Sequence, residues 1–197
     1  MRKLLTALAA TVFLLPQAAL AHTGVGDTNG FAHGFMHPIG GVDHVLAMVA
    51  VGILAAQLGG RAIWLVPAAF VGMMVVGGAI GMSGVDIPLV EVGIALSVVV
   101  LGLAVALGMN IPLVAAMALV GFFAIFHGHA HGAEMPETAS CLGYGVGFVI
   151  ATALLHAAGV GIGLAIGRID SASAPRVTQV AGGAMTIAGV AMISGII

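Results

Sequence analysis

Charge is what this chain has least of. Only 6% of its 197 residues are Asp, Glu, Lys or Arg, where a soluble domain carries roughly 25%. With 61% hydrophobic residues and a mean hydropathy of +1.23, the composition excludes an ordinary water-soluble globule. It equally excludes a disordered chain, which needs charge and low hydrophobicity. Five Lys and Arg in total cannot build a basic face, so a nucleic-acid binder is excluded as well. Cysteine is nearly absent. The single Cys141 rules out a thiolate zinc or iron–sulfur site and an intrachain disulfide. No GxxxxGK[ST] run occurs, so the chain carries no P-loop with which to hydrolyse ATP. What it does have is long apolar runs, 31 glycines and eight histidines. The histidines, among so few other ionisable groups, are the feature that needs a chemical reason.

The fold class follows from the apolar runs: an all-α membrane protein, a six-transmembrane-helix bundle after a cleaved signal peptide. Met1, Arg2 and Lys3 form a positive n-region, Leu4–Leu15 is apolar, and Pro16 precedes a small-x-small site at Ala19-Leu20-Ala21. That apolar stretch is short for a span of about 20 residues. Residues 1–21 therefore read as a secretory signal, with an uncleaved first helix as the alternative, and 22–197 as one transmembrane domain. Spans are expected near 37–58, 62–82, 88–108, 111–131, 142–166 and 177–196, separated by glycine- and proline-bearing turns. Pro88 and Pro112 fall near expected helix starts, with Asp86 and Asn110 as expected caps, and Pro67 is expected to kink the second span.

Cleavage would place His22 outside, and six spans would return Ile197 to the same side. The expected inner loops then hold Arg61, Arg168 and Arg176, and the expected outer segments hold Asp27, Asp86, Glu134 and Glu137. This obeys the positive-inside rule and predicts a multi-pass protein of the bacterial inner membrane with both termini periplasmic. Gly77-xxx-Gly81, Gly143-xxx-Gly147 and Gly159-xxx-Gly163-xxx-Gly167 set small residues on single helix faces, the spacing for close helix packing within the lipid bilayer. The same spacing serves subunit contact, so a homo-oligomer stays open.

Two segments carry chemistry. In the first, His33-Gly-Phe-Met-His37-Pro-Ile-Gly-Gly-Val-Asp43-His44, His37 and His44 are seven apart and would share a face of one helix starting near His37. In the second, His127-Gly-His129-Ala-His131-Gly-Ala-Glu134, His127 and His131 share a face that Glu134 continues. His129 points elsewhere unless Gly128 and Gly132 let the helix unwind. At 1.5 Å per residue, Asp43 and His44 would lie roughly 9–11 Å below the outer end of their span, and His127 about 6 Å below the end of its own. Glu91 begins the third span on the same side. Ionisable groups within spans are costly and normally line a cavity or find a partner. Imidazole and carboxylate donors suit Ni²⁺, Co²⁺ and Zn²⁺. His156, alone near the middle of the fifth span, fits either a metal route or a buried structural role. A terminal His22 would offer both an α-amine and an imidazole.

HPIGGVDH at 37–44 and FHGHAHGAEMP at 126–136 together resemble the HupE/UreJ family, membrane proteins associated with hydrogenase and urease accessory genes. The likeness extends over essentially all of the mature chain. It implies secondary permeases for nickel, or in some members cobalt, supplying metal for enzyme maturation. It implies functional roles for His37, Asp43 and His44, and for His127, His131 and Glu134. His129 makes the second motif richer in histidine than its minimum.

The expected mechanism has metal captured by His22, His33, and His129 or Glu134. It then passes to a deeper set of His37, Asp43, His44, His127 and His131 with Glu91, and leaves past His156. No tightly bound cofactor is expected; the Ni²⁺ or Co²⁺ is cargo. Imidazole must be neutral to bind, so capture is expected to weaken as pH falls through about 6.5. The alternative is an intramembrane zinc-dependent hydrolase using the same His/Asp cluster, with Asp43 or Glu134 as general base.

Overall fold

The structure, a computed structural model, describes residues 30–135 and 139–197. The expected signal over 1–21, and with it His22, Asp27 and Glu137, lie outside the described residues. Among those described, seven helices and no strand occur: α1 Gly30–Gly40, α2 Val42–Leu58, α3 Ala62–Met82, α4 Val90–Ala106, α5 Leu113–Ala133, α6 Cys141–Ile166 and α7 Ala174–Ile193. Four of them (α3, α5, α6 and α7) are long and apolar enough to cross a membrane. The α1–α2 pair passes that test together, and α4 is apolar but shorter at 17 residues.

The first expected span needs correcting. It is not one helix from 37 to 58, because the chain bends by 79° between α1 and α2. Pro38 lacks an N–H, and Gly40-Gly41 resists helix least expensively of any pair. Gly41 takes an extended conformation (φ −94°, ψ 119°) and starts a new helix instead. Its carbonyl accepts from Val45 N–H at 3.0 Å. The Asp43 carboxylate accepts the otherwise free His44 N–H at 2.7 Å, within the first turn of α2. His37 and His44 therefore belong to different helices, not to two turns of one.

The expected caps change as well. Asp86 and Asn110 do not cap: α4 starts after Leu89, at φ 60°, and α5 after Pro112, neither with a side-chain cap. α5 does not unwind at Gly128 or Gly132 but runs unbroken to Ala133. α3 runs through Pro67 as a single helix.

Glycine decides how the helices pair. α3 packs mainly on α5, α2 and α1 on α6, and α4 on α7. A Cβ on Gly77 would fall on the Ile125 carbonyl, and one on Gly128 on the Met74 carbonyl. Gly81 and Gly132 meet the facing backbone in the same way, so α3 and α5 touch backbone to backbone. Gly159 does this against Val49, and Gly147 against Phe31. The outward surface is apolar: Trp64, Val114, Leu142, Val180 and Ile187 are each more than 70% exposed. Apolar exterior on this scale is expected of a protein whose solvent is lipid.

Because the helices alternate, the starts of α2, α4 and α6 and the ends of α3 and α5 gather at one end of the bundle. Arg61 at the start of α3, Arg168 just after α6 and Arg176 in the first turn of α7 lie at the other, all exposed. The 26 residues of α6 separate the two ends by about 39 Å at 1.5 Å per residue.

Candidate metal centre

The site stands where that polar end meets the core. Asp43 and His44 open α2, and the Asp43 carboxylate accepts from His44 Nδ1–H at 2.8 Å. That bond fixes the proton on Nδ1 and leaves Nε2 as the donor atom, the usual way a carboxylate prepares an imidazole for a metal. His44 Nε2 is buried and has no hydrogen-bond partner among the described residues. The His44 ring sits 4.6 Å from that of His127 and 4.3 Å from that of His131, centroid to centroid. His127 and His131 stack one turn apart on α5, as their spacing predicts. His37, at the end of α1, closes the string with its ring 4.5 Å from His131 and its Nε2 3.3 Å from Glu134 Oε2. The 79° bend is what makes this possible. It turns α1 so that His37 meets the end of α5 while His44 reaches beneath it.

Burial grades along the string. Glu134 is mostly exposed and His37 about a quarter exposed, whereas His44, His127 and His131 are buried. A cavity of about 290 Å³ at the mouth is lined by His37, Asp43, His44, Glu91, His131 and Glu134. The ligand atoms of His37, His131 and Glu134 all lie within 4.8 Å of one another. A first-row ion with bonds of about 2.1 Å holds tetrahedral donors about 3.4 Å apart, so these three would close on one by moving inward. Deeper in, His127 Nδ1 and both nitrogens of His131 are also buried without a partner among the described residues. Each such atom costs about 1–3 kcal/mol, a cost that coordination of a cation would offset.

The remaining sequence candidates fall elsewhere. His33 is exposed on α1, with its ring 6.0 Å from that of His37 and 5.9 Å from that of Tyr144. Glu91 is exposed in the first turn of α4 and lines the cavity without a hydrogen bond to the string. His129 does not join: its Nε2 donates to the Val85 carbonyl at 2.7 Å and holds the α3–α4 loop to α5. His156 is buried on α6, separate from the string, with the Phe70 ring 5.0 Å from it and 5.6 Å from His127. Sequence reasoning missed Ser97, Phe70, Tyr144 and Phe148. Phe148 packs at 4.1 Å on His131, and Ser97 Oγ contacts His127 Nε2 at 2.9 Å. For Ser97 a signal existed, a lone hydroxyl in an otherwise apolar helix; the aromatic residues were indistinguishable from core.

Fold and site together define a multi-pass helical membrane protein with an imidazole–carboxylate pocket at one end of its bundle. The family model described as HupE / UreJ protein matches residues 9–192. Protein HupE of Rhizobium leguminosarum bv. viciae is 48% identical over 193 residues, covering 98% of each chain. The chain belongs to the HupE/UreJ family. No solved structure matches it.

Proposed function

We propose that this chain is a secondary permease that takes up a divalent transition-metal ion, nickel first and cobalt second, from periplasm to cytoplasm for metalloenzyme maturation. The observation that carries this reading is the continuous string Glu134–His37–His131–His44–His127, graded from exposed to buried. The family membership and the related Protein HupE support it. Nitrogen and carboxylate oxygen donors without thiolate match borderline divalent ions.

The reading counts six crossings, with the bent α1–α2 pair as one and α4 as the shortest, about 26 Å long at 1.5 Å per residue against a core of about 30 Å. The arginine-bearing end faces the cytoplasm by the positive-inside rule, which sets the donor string and both termini on the periplasmic side. Captured metal descends from the mouth to His44 and His127. The next imidazole beyond the Phe70 ring is His156, which receives the ion on its way in. An inward-negative potential supplies roughly 4.6 kcal/mol per 100 mV to a divalent cation, twice the single-charge figure. Uptake therefore needs no nucleotide. No observation favours the hydrolase alternative.

The test is uptake of Ni²⁺, Co²⁺ and Zn²⁺ into vesicles reconstituted with the parent chain, Asp43→Ala and His44→Ala. The parent is expected to accumulate nickel, and both variants to fall to the protein-free leak rate. Variants that move metal as fast as the parent would overturn the assignment.

A further inference from the structure

Among the described residues, Ser97 is the one hydroxyl hydrogen-bonded to the string, and it is so at His127, the string's deepest imidazole. It sits on α4, fully buried, with Oγ 2.6 Å from the Ile94 carbonyl and 2.9 Å from His127 Nε2. A serine hydroxyl has one proton to give. If it went to His127 Nε2, two oxygens would face each other at 2.6 Å with no proton between them, and a buried Nδ1–H would be left with no acceptor. If it goes to Ile94, the hydroxyl oxygen accepts from His127 Nε2–H, and only a lone pair on Nδ1 is left unused. Orphaned buried N–H groups are rarer than underused acceptors, so both contacts favour the second arrangement.

We propose that Ser97 is a positioning residue that holds His127 as the Nε2–H tautomer and so presents Nδ1 as the metal-donor atom. His44 is set the opposite way by Asp43, with the proton on Nδ1 and Nε2 free. Neighbouring imidazoles, 4.6 Å apart, are thus locked through different ring nitrogens by partners on different helices. The role of Nδ1 rests on the permease reading, whereas the tautomer does not.

The test separates the two. ¹⁵N-histidine NMR of the metal-free full chain in nanodiscs, with His127 assigned by its loss in His127→Ala, reads which ring nitrogen carries the proton. The parent is expected to show Nε2–H, Ser97→Ala to lose that preference, and Ser97→Thr, which keeps a hydroxyl, to restore it. Nickel affinity of the same samples is expected to fall about 10–100-fold in Ser97→Ala, the range for removing an orienting partner, and to recover in Ser97→Thr. His127 carrying its proton on Nδ1 in the parent overturns the proposal whatever becomes of transport. So does a Ser97→Ala protein with unchanged tautomer or unchanged nickel affinity. Failure of the permease reading alone would leave the Nε2–H signal in place and abolish only the uptake.

Discussion

Two of the places where this bundle buries imidazole are built differently. In the string at the polar end, His44 leans on Asp43 at 2.8 Å and His127 on Ser97 at 2.9 Å, so each of these two rings has one nitrogen committed and one free, and His131 beside them is gathered within 4.5 Å of the His44 and His37 rings. His156, further along α6, has neither nitrogen partnered among the described residues, and the Phe70 ring lies 5.0 Å from its own. Convergence with other donors, two of them oriented by a second partner, distinguishes rings prepared to hold a metal from a lone ring that can only pass it on. Burial alone is no guide, since His127 and His156 are both at or below 2% exposed.

The comparison breaks most sharply at Asp43. Asp43→Asn keeps the shape of the side chain but removes the anion that fixes His44. Nickel affinity by isothermal titration is expected to fall about 10–100-fold. His156→Leu is expected to bind as the parent does while slowing the initial rate of uptake severalfold, because an unpartnered buried polar atom is replaced at little cost to the fold. Equal affinity losses in the two variants would erase the distinction between holding and passing.

A smaller effect probes what brings the string together. Gly128→Ala places a Cβ on the Met74 carbonyl and forces α3 from α5. Overpacking of this kind costs about 1–3 kcal/mol, visible as a lowered unfolding midpoint in detergent together with weaker metal binding. A variant as stable as the parent would mean that α5 is not held by this contact. The gentlest test leaves the chain unaltered. Cys141, its one cysteine, is exposed at the start of α6, at the donor end of the bundle. A membrane-impermeant maleimide added to intact spheroplasts is expected to label it. Labelling only after lysis would reverse the assigned orientation.

Much of this was legible in the residues. The apolar runs of α3, α5 and α6 mark themselves by length, and the i,i+4 spacing of His127 and His131 stacks those rings on any helix. Gly77-xxx-Gly81 announced close packing, and α5 supplies the facing glycines. The seven-residue separation of His37 and His44 misled. Read as helical periodicity, it implied one continuous face, whereas Gly41 breaks the ladder and the two rings converge from separate helices. Gly128 and Gly132 would have permitted unwinding, and their use instead is contact with α3. Ser97 acquires meaning only from its neighbour, because 30 positions separate it from His127.

Composition and motif spacing by themselves determined the solvent this protein lives in and the inventory of donors it offers, imidazole and carboxylate without thiolate. Both are properties of side chains taken singly. Which nitrogen of each ring is free, and which rings share a pocket, was decided only by the tertiary structure. A tautomer is set by a partner across a helix interface, and such a partner has no fixed distance along the chain.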